Sequence, residues 1–490
     1  MSKRVENLLM KKIFGFLVLT LVLVACGGNK DGRPLQDYVS AFLNGNETIV
    51  AFGKADLNTI LNKTEYKKIP KLGVAIDIEV QDFKRSLKLE TPVFFAVEGP
   101  MDEDGTPKTT YAFFEVTNAD SLVGKLKHQG FDMNKEGDID YFESGDVCLG
   151  VRNNLAILIT KKGEFDGKLM LTDAFDKTTN DVSEGKIDEL LAAKGDVVLG
   201  MSVANLYKTS NTDLSKLSED KQAELTEMVN DSYVQTAMSF EKGKVVIETK
   251  NLFSDELKKK LFFKNDASAG VVKKLGTGNP TLGFAMNLDM KKMQAFIDEY
   301  APTAMSEIGE MLGGEFQMAL AMGGKDGLAG LLSGEVGMVM VGNSNPNEGM
   351  SDFNIYVGIG KNGQMFASGA KSMLEIGMAQ VDLDTKGIAA YSNASFVPQA
   401  GKRLNVPKGC EIFGKKGITA FINLEGVDLS SFEFEEEAKI IYLVKYVTFE
   451  MDENGSKIVI QAKDGKENML KQAMDVMIEE FSGKIGNMAI

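Results

Sequence analysis

The chain has 490 residues, 70 acidic against 55 basic, and a formal net charge of −15. That balance excludes nucleic acid as a partner, because an acidic surface repels a phosphate backbone. With one histidine, His128, and cysteines spread over positions 26, 148 and 410, no His-His or Cys-His cluster forms, which excludes a zinc centre of the usual ligand type, while 43% hydrophobic residues suffice for the cores of two or three domains.

The first element is a leader. Lys11 and Lys12 precede an apolar run over 13–25 that ends in Leu23-Val24-Ala25-Cys26. The run is shorter than the ~20 residues a membrane span needs and has the layout of an export signal. Its last four residues resemble a bacterial lipobox, whose cysteine takes a diacylglyceryl group before the peptide is cut ahead of it. The resemblance implies a signal peptide over 1–25, palmitate-type acylation of Cys26 and a tether over 26–40. Two or more acyl chains hold a protein stably on a bilayer, so the membrane is the first expected partner. Losing Lys3, Arg4, Lys11, Lys12 and Glu6 removes a net +3, which takes the mature chain from −15 to −18. Gly27-Gly28-Asn29-Lys30-Asp31 has one acid and does not resemble the start of surface-exported lipoproteins, in which a run of acidic residues follows the cysteine; that comparison implies the periplasmic side of the outer membrane over the cell surface.

Beyond the tether the same succession of elements is expected twice. Residues 46–52 form a strand leading to a helix at Asp56, and 279–285 repeat this up to Asp289. Strands at 93–97 and 111–116 recur at 337–341 and 353–358, each pair leading into a helix. A hairpin carrying Asp132, Asn134, Gly137 and Tyr141 matches Asp382, Asp384, Gly387 and Tyr391 at one offset. Strand pairs at 239–250 and 448–463 close the copies, followed by helices at 255–262 and 467–481. Period-two strands with Gly/Asp turns, alternating with helical periods, predict an α+β fold. The expected architecture is two tandem copies of a mainly antiparallel sheet unit with helices packed on one face. The boundaries are a first repeat at 41–265, a Gly/Ser/Lys-rich linker at 266–278 and a second repeat at 279–490, with an insertion near 305–332.

This arrangement resembles a family of Bacteroidota lipoproteins that carry a large, internally duplicated domain of unknown function. The likeness rests on the lipobox, the strand–helix opening after Thr48, the helix start at Asn118-Ala119-Asp120 and the doubled layout. It implies an outer-membrane or cell-envelope location and brings no catalytic residue and no cofactor.

Several motifs bear on chemistry. Asp132, Asn134, Glu136, Asp138 and Glu143 place oxygen donors around Gly137 in the manner of an EF-hand calcium loop. The aligned second copy has Lys386 and Asn393 at two ligand positions, so a hairpin turning at Glu136-Gly137 is expected instead. Gly358–Gly363 reads G-x-G-x-x-G, but the first copy lacks those glycines and a plain strand-to-helix turn serves both. Asp120-Ser121-Leu122 makes Ser121 a glycosylation candidate as well as a helix N-terminus. His128 reads as an exposed helix end, and Cys148 and Cys410 as buried free thiols. Thirteen methionines between Met286 and Met378 suit core packing, with the insertion as a partner-binding flap. No nucleophile, base or metal cluster is marked by spacing. The chain is therefore expected to be a non-enzymatic binding or structural module of the envelope that engages a protein or other envelope component. The alternative is an envelope hydrolase using paired carboxylates.

Overall fold

The computed structural model describes residues 33–487, apart from 45, 70–71, 84–85, 89, 102–105, 164–165, 182–184, 210–216, 265–267, 302–322, 342–351, 426 and 428–435. The leader, Cys26 and most of the expected insertion lie outside the described residues. No described helix is long and apolar enough to cross a membrane. The architecture is α+β, with large, antiparallel sheet structure. Two compact units form: Met1–Asn211 with Tyr233–Phe240, and Thr212–Ser232 with Glu241–Ile490. The division therefore does not follow the expected boundary at 266–278.

The first unit holds β1 (Ile49–Ala55), β2 (Val93–Met101), β3 (Pro107–Glu115), β4 (Asn134–Glu136), β5 (Ile139–Ser144), β6 (Val147–Arg152), β7 (Leu155–Lys161), β8 (Val197–Ser202) and β9 (Tyr233–Glu241). They pair antiparallel in the order β9–β8–β1–β2–β3–β7–β6–β5–β4. On one face Phe42, from the helix Leu35–Asn44, lies 5.0 Å from the rings of both Tyr111 and Phe113. Leu171 and Phe175, from the helix Gly167–Lys177, press on the same face at Gly150, where any Cβ would meet each at 2.9 Å. On the other face Leu122, Val123 and Leu126 of the helix Ala119–His128 pack against Phe114, Leu149 and Val151.

Helices thus cover both faces, which corrects the one-face expectation. The cause is visible in β7, where Leu155-Ala156-Ile157-Leu158-Ile159 is apolar without alternation. A strand buried on both sides reads this way.

The second unit holds β10 (Lys244–Leu252), β11 (Pro280–Asn287), β12 (Leu332–Val341), β13 (Asp352–Ile359), β14 (Gln380–Leu383), β15 (Gly387–Tyr391), β16 (Ile418–Asn423), β17 (Val444–Asp452) and β18 (Gly455–Ala462). Their antiparallel order is β10–β18–β17–β16–β11–β12–β13–β15–β14. One face is a packed core in which Ala285, Val339, Tyr356, Tyr391 and Phe421 meet Val271, Leu275, Cys410 and Phe413. Val271 and Leu275 belong to the segment expected as a linker, yet both are 0% exposed, and Val271 follows the helix start at Ala269. Small and charged residues made that stretch look like a tether. Its Val271/Leu275 pair, four apart, is what docks it on Gly337.

The opposite face of this sheet is also apolar. Register carries one row across seven strands, from Ile247 through Ile458, Phe449, Ala420, Phe284 and Met338 to Ile355. Every residue of the row is half-buried, whereas Ala285 and Val339 across the sheet are 0% exposed. The helix Gln364–Leu374 packs only at the far end of this face, setting Ala370 and Leu374 against Val357, Ile388 and Ala390.

Candidate functional site

The calcium-like segment folds as a hairpin. Glu136 pairs with Ile139 and Asn134 with Tyr141, so the loop is Gly137-Asp138, one residue beyond the expected turn. Gly137 adopts φ +58°, a left-handed conformation that glycine reaches without a Cβ penalty. This geometry sends the oxygen donors to separate places. Glu136 bridges to Lys168 at 2.9 Å. Glu143 sits opposite Cys148 and accepts the Gly167 N–H at 3.2 Å, capping the next helix. Asp132 and Asp138 are exposed. The structure does not gather Asp132, Asn134, Glu136, Asp138 and Glu143 into one coordination shell. No group of three or more His, Cys, Asp or Glu side chains able to hold a metal occurs among the described residues.

Ser121 stands in the first turn of its helix. Its N–H donates to Asn118 Oδ1 at 2.9 Å, the capping arrangement. Its hydroxyl lies 2.9 Å from that of Ser86, which is 1% exposed, so the candidate glycosylation oxygen is already hydrogen-bonded to a buried partner. His128 is exposed at the end of the same helix. Cys148 and Cys410 are both buried and free, and burial pushes each thiol up to about 12, with neighbouring carboxylates adding to the shift. The Gly358–Gly363 turn joins β13, which is antiparallel to both its neighbours, to the helix Gln364–Leu374, and so is not the parallel unit that binds dinucleotides. Its amides face inward: Gly360 N–H donates to Leu331 at 2.7 Å and Asn362 N–H to Gly330 at 2.8 Å.

Among the described residues, a dense charged constellation lies elsewhere and was not visible as a motif. Lys221 on the helix Glu219–Val229 reaches Glu299 at 2.5 Å and Glu224 at 2.7 Å. Lys260 reaches the other oxygen of Glu299 at 2.7 Å, and Tyr300 donates to Glu224 at 2.6 Å. Both ammoniums also lie over the Tyr300 ring, at 5.4 and 5.0 Å from its centroid. Hydrogen bonds from Lys221 and Lys260 hold the Glu299 carboxyl down at about 2, and those from Lys221 and Tyr300 lower Glu224. A hydrolase acid must keep a proton near neutral pH. These two carboxylates are set in the opposite direction, and their ion pairs and hydrogen bonds staple three helices. The signal in sequence was only the scattered 221/224, 260 and 299/300 charges, which no periodicity connects.

A shallow groove of about 300 Å³ runs between β10, β17 and β18, lined by Glu248, Lys250, Lys416, Glu450, Asp452 and Lys457 among others. Lys416 pairs with Asp452 at 2.7 Å and Lys457 with Glu248 at 2.5 Å. Its three acidic and three basic side chains balance, and the hydroxyls of Thr249 and Ser456 line it with no histidine beside them. The exposed apolar side chains are concentrated differently. Met365, Phe366, Met373 and Ile376 are 65%, 39%, 70% and 89% exposed, on or just beyond the helix Gln364–Leu374.

No family model and no curated protein matches the chain. Among solved structures, one titled "Structure of crystal form I of TP0453" is 10% identical, covers 46% of this chain and 80% of its own, and superposes with a TM-score of 0.26. A likeness at that level carries no argument.

Proposed function

We propose that this protein is a lipid-anchored binding or structural module of the cell envelope, held at the outer membrane through acylated Cys26 and facing the periplasm. The observation that carries the reading is the run from Lys11 to Cys26, a basic start and short apolar core ending at the lipobox cysteine. The compensated charges around Glu299 and in the β10–β17–β18 groove favour binding over catalysis. The test is detergent-phase partition and labelled-palmitate incorporation. Cys26→Ala should abolish the label and leave the chain soluble or unprocessed. Unchanged label and partition in that variant would overturn the anchor.

The same reading includes a duplicated body. Its support is the recurrence of pairings: β8–β1–β2–β3–β7 in the first unit and β16–β11–β12–β13–β15 in the second follow one succession. Val246 and Val459, equivalent in the sequence alignment of the copies, stand opposite one another in the β10–β18 pair. The hairpin station is the exception. β5 pairs with β6, whereas β15 pairs directly with β13, so β4 and β5 are an addition to the first copy.

A further inference from the structure

We propose that the half-buried apolar face of the second unit's sheet binds the acyl chains of a lipid, laid across the strands. The proposal rests on the binding-module reading and names its ligand class. A sheet face closed over by its own chain loses nearly all its exposure, as the core face does at Val339 (0%) and Phe421 (1%). Across the sheet, Phe284, Met338, Phe449 and Ile458 remain half-buried, and Ile422 beside them is 44% exposed. The seven-strand row has six inter-strand steps of about 4.8 Å, roughly 29 Å in all. The hydrocarbon core of a bilayer, two acyl chains end to end, is about 30 Å. One extended chain therefore fits along the row with room to spare.

Charge narrows the occupant. The chain as a whole carries −15, yet this row contains no charged side chain and none with a hydrogen-bonding group. It is complementary to a ligand that is uncharged and apolar along its length. A polysaccharide would find no partner for its hydroxyls here. A protein interface carries on the order of one hydrogen bond per 100–200 Å², which this row cannot supply. Methionine and branched aliphatic side chains adapt to a flexible chain by dispersion contacts alone.

The test uses the mature chain with Cys26→Ala, so that its own anchor cannot occupy the face. Fluorescence titration with cis-parinaric acid should give saturable binding. Displacement by laurate, myristate and palmitate should strengthen roughly two- to fourfold per added methylene. Ile422→Glu and Met338→Gln should each weaken binding at least about tenfold while the melting temperature falls by no more than a few degrees, since both side chains keep access to solvent. Absence of saturable binding, or indifference to chain length, overturns the proposal. So does a collapse in melting temperature in both variants, which would make the face interior packing. A dimer that Ile422→Glu dissociates, without probe binding, would assign the face to a second copy and also overturn it. Hydrolytic turnover of an acyl ester would instead strike the non-enzymatic reading while leaving the acyl site standing.

Discussion

The contrast between the two faces of the second sheet can be measured by truncating one ring on each. Phe421 is 1% exposed and packs edge-on to Phe413 with ring centroids 5.0 Å apart. Phe421→Ala removes a fully buried ring and leaves a cavity that close-packed neighbours cannot fill, at a cost of about 3–5 kcal/mol. Phe284 lies on the adjacent strand but points to the other face, where it is half-buried. Phe284→Ala loses part of a full transfer energy and opens no sealed cavity, so it should cost about 1–2.5 kcal/mol. At about 2–4 °C per kcal/mol for a body of this size, the melting temperature should fall roughly 6–20 °C in the first variant and roughly 2–10 °C in the second. A third substitution closes the cycle. A Cβ on Gly283 would lie 2.4 Å from Phe421 Cε1, so Gly283→Ala alone should destabilise by overpacking, about 1–3 kcal/mol. Combined with Phe421→Ala it occupies part of the vacated space, and the double variant should be less damaged than the sum. Calorimetry and urea unfolding read all four proteins. Equal losses for Phe284→Ala and Phe421→Ala would refute the reasoning, because both faces would then be interior.

Three further outcomes are expected. Glu299 has its carboxyl lowered from the ordinary value of 4.5 to about 2 by Lys221 and Lys260, so its contribution is present above about pH 4.5 and is lost as pH falls towards 2. Glu299→Gln should flatten the acid limb of the stability–pH curve over that window, and an unaltered curve would show the staple to be inert. Cys148 and Cys410 should resist a thiol reagent at pH 8 in the folded chain and react fully in urea, since burial pushes both up to about 12. Asp196→Ala should destabilise the first unit by about 2–4 kcal/mol in urea unfolding: it strands the Phe240 N–H, which donates to Asp196 at 2.6 Å, and releases Lys63, also at 2.6 Å.

Elements set by local rules were legible in the sequence. Asp56 and Asp289 cap the helices Leu57–Lys63 and Met290–Tyr300 with side-chain bonds to the backbone, and Asn118 caps Ala119–His128. β1, β2, β3, β11 and β13 lie where apolar runs between turn residues put them. Long-range features were not legible. The 266–278 stretch reads as a tether until Val271 is seen over Gly337, a contact across more than sixty residues. The Lys221–Glu299–Lys260 staple unites charges from three helices that share no spacing. The hairpin at Asp132–Glu143 illustrates the limit in the other direction. Its turn chemistry was readable to within one residue, because Gly137 needs a positive φ. The alignment that paired it with Asp382–Tyr391 matched residue types whose strands hold different places in the two sheets.

The apolar face bears on why period-two reasoning underdetermined this fold. Alternation separates inside from outside only when one face is wet. In β11 the inward residues Gly283 and Ala285 alternate with Leu282, Phe284 and Met286, all hydrophobic, so the strand carries no polar marker of its outer side. A face that must bind an apolar ligand and a face that must bury a core present the same letters. What separates them is side-chain size set against exposure. Small residues such as Gly283, Ala285 and Gly337 line the packed side, where Phe421 and Val271 must approach the backbone. Larger residues such as Phe284, Met338 and Phe449 stand on the open side and stay half-buried. A functional surface written in core composition is therefore recognisable only once register has assigned each residue to its face.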